Sequence, residues 1–81
     1  MDNRLAIIAI IVESSDSVGK VNQILHSCAS YIIGRMGMPY PKKDVSVITI
    51  VIDAPQDIIS TLSGKLGQIP SVSIKTTYSK V

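Results

Sequence analysis

The chain has 81 residues, a net charge of +2, and 46% hydrophobic against 17% charged residues. That length holds one domain, residues 1–81, and buries only roughly 60% of the surface an unfolded chain of this size exposes, so a lone core is marginal. One cysteine, Cys28, excludes a disulfide framework, and the slight charge excludes a basic stripe that would neutralise many phosphates. No apolar run approaches the roughly 20 residues of a membrane helix. The start, Met1-Asp2-Asn3-Arg4, has no basic leader, and Glu13-Ser14-Ser15-Asp16 makes a poor cleavage site. These features lead to an expectation of a cytoplasmic protein with no membrane association.

The first strand spans about 4–13. Its run Leu5-Ala6-Ile7-Ile8-Ala9-Ile10-Ile11-Val12 is apolar at every position. A strand with one solvated face alternates apolar and polar residues. This one does not, which predicts cover on both faces of the sheet centre. Ser14, Ser15, Asp16 and Ser17 are N-cap candidates for a helix that buries Val18, Val21, Ile24, Leu25 and Cys28 at helical spacing and ends near Ala29 or Ser30.

A second strand is expected over about 31–36, before Gly37, Pro39 and Pro41 break regular structure. The third strand, about 44–53, contains the second wholly apolar-faced run, Val45-Ser46-Val47-Ile48-Thr49-Ile50-Val51-Ile52. Asp53 is the expected N-cap of the next helix, with Pro55 in its first turn and Gln56 completing a variant of the capping box. That helix buries Ile58, Ile59, Leu62 and Leu66 and stops at Gly67. A last strand, about 71–79, sets Val72, Ile74, Thr76 and Tyr78 on one side.

The order β-α-β-β-α-β predicts an α+β, ferredoxin-like sandwich with a four-stranded antiparallel sheet and two helices on one face. The first and third strands are central in that topology, and they are the two apolar runs. The edge strands carry Arg35, Lys75 and Lys80. Two helices cover one face only, so the other face calls for a partner. A second copy of the chain is the simplest one. Ile8, Ile10, Ile48 and Ile50, with Arg35 and Tyr40, are the expected oligomer interface, in a dimer or tetramer built through sheet faces or edges.

Groups that could carry chemistry are sparse. His26 and Cys28 stand two apart on a helix and diverge, whereas a metal needs three or four convergent ligands, so neither a metal nor a cofactor is expected. With one histidine mid-helix, no catalytic triad forms, and no enzyme is expected. An RNA-binding sheet stacks bases on aromatics of its central strands. Here Tyr31, Tyr40 and Tyr78 lie outside those strands, so direct nucleic-acid binding is not expected. The turn after the first strand is the best ligand candidate. It presents Glu13, Ser14, Ser15, Ser17 and Gly19 at a helix N-terminus, where free N–H groups favour a small polar ligand. The run from Gly34 to Tyr40 offers Arg35 and Tyr40 to a neighbouring subunit or partner.

Ile32-Ile33-Gly34-Arg35-Met36-Gly37-Met38-Pro39-Tyr40, Val51-Ile52-Asp53-Ala54-Pro55, Leu62-Ser63-Gly64-Lys65-Leu66-Gly67 and the closing stretch from Val72 to Lys80 resemble the iron-only hydrogenase system regulator family across essentially the whole chain. That family is similar to ACT domains and to the C-terminal domain of the nickel-responsive repressor NikR. The resemblance implies a homo-oligomeric regulatory module, a small-molecule effector at the turn from Glu13 to Gly19, and a protein partner in the hydrogenase system. It implies no nickel site, because Gly37-Met38-Pro39 stands where the repressor has its His-x-His pair, and Lys43-Asp44 stands near its cysteine. The ribbon-helix-helix DNA-binding part is missing as well, so a role as transcriptional regulator would need another route. A metal- or cofactor-handling protein of hydrogenase maturation, using His26, Cys28 and Met36 or Met38 across an interface, is the alternative reading.

Overall fold

The computed structural model describes residues 2–80. Four strands, β1 (Asn3–Val12), β2 (Ile32–Tyr40), β3 (Val45–Pro55) and β4 (Val72–Tyr78), and two helices, α1 (Val18–Ser27) and α2 (Gln56–Gly67), follow in the order β1-α1-β2-β3-α2-β4. The sheet order is β2-β3-β1-β4, every pair is antiparallel, and the two apolar runs occupy the centre. Their β-branched side chains suit a pleated, covered surface.

From Leu5 onward, burial along β1 alternates strictly. Ala6, Ile8, Ile10 and Val12 are buried, and so are Ile48, Ile50, Ile52 and Ala54 on β3, where Ile52, Ile50 and Ile48 pair with Ala6, Ile8 and Ile10. Val21 and Leu25 from α1, and Ile59, Leu62 and Leu66 from α2, join them in one core cluster. Both helices therefore cover the same face. Burying each of the larger aliphatic side chains is worth about 1.5–3 kcal/mol relative to exposure, and this layer is the main source of stability. Ile24, Ile58 and Cys28 lie at the margin of the cluster and are only partly buried.

Several local expectations are corrected. Strand β2 does not end at Met36 but runs to Tyr40, with Gly37 opposite Ile48 and Pro39 opposite Ser46. An edge strand has one side free of ladder bonds, so Pro39 is tolerated there. Neither Gly34 nor Gly37 has positive φ; the left-handed positions are Asp44 (φ 53) after the β2–β3 turn and Ser71 (φ 67) before β4. A register shift between Ile32 and Gly34 makes Ile33 a bulge residue, 64% exposed.

Asp53 is not a helix cap. Strand β3 continues to Pro55, which pairs with Asn3 and is itself the N-cap residue of α2, without a side-chain capping bond. Gln56 forms no capping box and instead bonds to Arg4, Ser60 and Tyr78.

Candidate functional site

The face of the sheet opposite the helices carries the other parity. Leu5, Ile7 and Ile11 of β1 lie beside Val47 and Val51 of β3, and the face continues onto β2 through Met36, Met38 and Tyr40. Ile7 is 47% and Met36 62% exposed. Leu5, Ile7, Val51 and Thr77 line a shallow depression of about 160 Å³ on this face. A contiguous apolar surface of this kind is unfavourable to leave in water.

Four of the expected interface residues are corrected here. Ile8, Ile10, Ile48 and Ile50 lie under the helices and are 0–4% exposed, so they cannot meet a partner. Their odd-numbered neighbours hold the open face, since adjacent residues of a strand point to opposite sides. Tyr40 shares the open face through its pairing with Val45. Arg35 pairs with Ile50, points to the helix side of edge strand β2, and donates a hydrogen bond from its guanidinium to the side-chain oxygen of Asn22 on α1.

A groove runs between α1 and β2 on that helix side. Val18, Asn22, Arg35, Gly37, Pro39 and Ser46 are among the residues that line a depression of about 190 Å³. Pro39 and Ser46 are shared with a second depression of about 80 Å³, which Ser15 and Tyr40 also line. The structure thus places Ser15 of the candidate turn in a depression adjoining the groove that holds Arg35.

The other turn residues do not join it. Ser14 Oγ caps the 3-10 turn Ser15–Ser17 by accepting from the Asp16 N–H at 3.3 Å. Ser17 Oγ donates to the Pro70 carbonyl at 3.0 Å, and the Glu13 N–H donates to the Ser71 carbonyl at 2.7 Å. Gly19 faces open space. Two of the serines are therefore used to tie the turn to itself and to the entry of β4.

His26 is exposed and Cys28 is half-buried. Cys28 lines a cleft of about 260 Å³ between α1 and α2 with Asp57, Ile58 and Lys65. Among the described residues no three His, Cys, Asp or Glu side chains converge as metal ligands. Sequence reasoning missed Asn22 and the odd-numbered apolar residues. The odd positions were visible as apolar, but nothing local to the strand distinguishes them from the even ones.

This architecture is that of an ACT-like domain of the α+β, ferredoxin-like class. The ACT domain of a GTP pyrophosphokinase from Chlorobium tepidum superposes with a TM-score of 0.78 at 18% identity, covering 93% of this chain and 99% of that one. The C-terminal domain of the MgtC protein from Mycobacterium tuberculosis gives 0.76 at 13% identity, covering 98% and 90%. Both likenesses concern the fold alone. The chain belongs to the TM1266-like family, described as "Iron-only hydrogenase system regulator, putative", whose pattern matches residues 4–76. Within reach of that family, the uncharacterized protein TM1266 from Thermotoga maritima is 35% identical, with a TM-score of 0.93 and coverage of 98% of this chain and 100% of that chain. Comparison with curated proteins produces no match.

Among the described residues, no helix is long and apolar enough to cross a membrane.

Proposed function

We propose that this chain is a non-catalytic regulatory module that works as a homo-oligomer, joined through the open face of its sheet. In the setting its family describes, it would respond to a small effector or to a protein of the iron-only hydrogenase system. The observation that carries the reading is the apolar open face. Leu5, Ile7, Ile11, Val47, Met36 and Met38 lie exposed there while an equally apolar set is buried on the other side. The molecule measures 41 × 19 × 18 Å, so the whole face is of the order of the ~800 Å² per partner that a standard interface buries.

The effector's place is the groove between α1 and β2, where the Arg35 guanidinium and the Asn22 amide supply polar contacts beside an apolar wall. That groove borders edge strand β2, next to the proposed interface, so occupancy and assembly would be coupled.

Native mass spectrometry of untagged protein purified without air tests both halves. A multimer with extra mass supports a sensor, a clean multimer supports an adaptor for a protein partner, and a bare monomer overturns the homo-oligomer.

A further inference from the structure

The open face carries two charges among its strand residues. Asp53 on β3 and Lys75 on β4 share the parity of Ile7, and both are exposed. Neither side chain has an ion-pair or hydrogen-bond partner among the described residues. Asp53 is paired with Leu5 and Lys75 with Ala9, on opposite sides of β1. They are thus two strands apart and four residues out of step, and the point midway between them is Ile7. With strands ~4.8 Å apart and ~3.3 Å per residue, the two Cα atoms are about 16 Å from one another.

Two copies that meet face to face are related by a two-fold axis lying between the sheets, and each contact then occurs twice. Placed over Ile7 and at right angles to the Asp53–Lys75 line, that axis carries Asp53 of one copy onto Lys75 of the other, and Lys75 onto Asp53. The same axis, extended one strand beyond β3, crosses Met36, which is paired with Thr49. Ile7 and Met36, both well exposed, then each meet their own counterparts. The strands of the two sheets cross at about 70°, close to the orthogonal class of sheet packing. An axis that sets Asp53 or Lys75 against apolar side chains of the other copy would bury a charge without a partner, which is strongly unfavourable.

We infer that the partner of this face is a second copy of the chain, docked nearly orthogonally about Ile7 and Met36, with two reciprocal Asp53–Lys75 ion pairs setting the orientation. This rests on the proposed sheet-face homo-oligomer and adds its geometry. The charges act as selectors: they favour one register among the many that a flat apolar surface allows.

Asp53→Lys places lysine against Lys75 of the other copy, and Lys75→Asp places aspartate against Asp53. The double variant D53K/K75D restores both pairs with their signs reversed. An equimolar mixture of D53K and K75D offers two matched pairs in the heterodimer and none in either homodimer. The measurement is native mass spectrometry of the wild type, the three variants and the mixture at low salt, with circular dichroism to confirm folding. The expected result is self-association by the wild type and the double variant, about tenfold weaker association by each single variant, and heterodimer in the mixture well above the half that random exchange gives. A wild-type oligomer with random exchange in the mixture, or single variants that associate like the wild type, overturns the geometry and leaves the homo-oligomer standing. A monomeric wild type overturns both.

Discussion

The guanidinium of Arg4 lies over the ring of Tyr78, 4.2 Å from its centroid. Arg4 Nη1 also donates to Gln56 Oε1 at 2.9 Å, and Gln56 Nε2 donates to Tyr78 Oη at 2.7 Å. One compact set of polar contacts thus ties the start of β1 to the first turn of α2 and the end of β4. It stands where α2 lacks a side-chain cap. Gln56→Ala removes the middle of the set and is expected to lower stability by about 1 kcal/mol. Tyr78→Phe keeps the stacking on Arg4 and should cost less than Tyr78→Leu. Urea denaturation of the three variants checks the order.

Neighbouring isoleucines on β1 should behave in opposite ways. Ile8 is fully buried, so Ile8→Ala is expected to cost about 2–5 kcal/mol and Ile8→Lys to abolish folding. Ile7→Lys, on the open face, should leave a folded protein that no longer self-associates. Circular dichroism with native mass spectrometry separates the two effects. A folded Ile7→Lys variant with the wild-type mass would remove the sheet face as the interface.

The groove between α1 and β2 makes a separate prediction. Of the twenty amino acids screened by thermal shift, any that raises the melting temperature of the wild type should lose that effect in Arg35→Ala. It should weaken in Asn22→Ala, which frees the guanidinium from its amide partner. An equal shift in wild type and Arg35→Ala places the ligand elsewhere.

Ser71 holds φ at 67° and Asp44 at 53°. A non-glycine residue in that region bears a steric cost of roughly 1–2 kcal/mol, which β-branching worsens. Ser71→Gly should therefore be neutral or stabilising, and Ser71→Val destabilising by about 1–2 kcal/mol. The urea midpoints of the two variants should move apart accordingly.

The strand order, both helices and the central place of the two apolar runs were legible in the sequence because each rests on a local signal: period, β-branching or a turn. Local signals also misled. Gly37 and Pro39 read as breakers, yet pairing with β3 on one side keeps β2 extended through Tyr40. Asp53 read as a cap because it precedes a helical pattern, yet the ladder with β1 continues two residues further, as far as Asn3 and Pro55. In both cases hydrogen bonds from a distant strand outweighed a local preference.

The candidate site was legible only in part. Arg35 and Ser15 stood out by residue type, and the fold brings them to two adjoining depressions that share Pro39 and Ser46. Asn22 did not stand out, since an asparagine on an exposed helix face has no local signature until a guanidinium is found beside it. Asp53 and Lys75 are 22 positions apart in the chain, and their symmetry about Ile7 exists only through the registers of two strand pairs.

The sequence by itself determined that the sheet centre is free of charge on both faces, because Leu5 to Val12 and Val45 to Ile52 have no charged residue at any position. It did not determine which side the helices take. Ile7 and Ile8, or Ile10 and Ile11, are chemically the same, and a shift of one residue exchanges the whole set. Only the tertiary structure decided it, because parity is set where α1 and α2 pack down, and that packing depends on the sheet registers and the helix faces together.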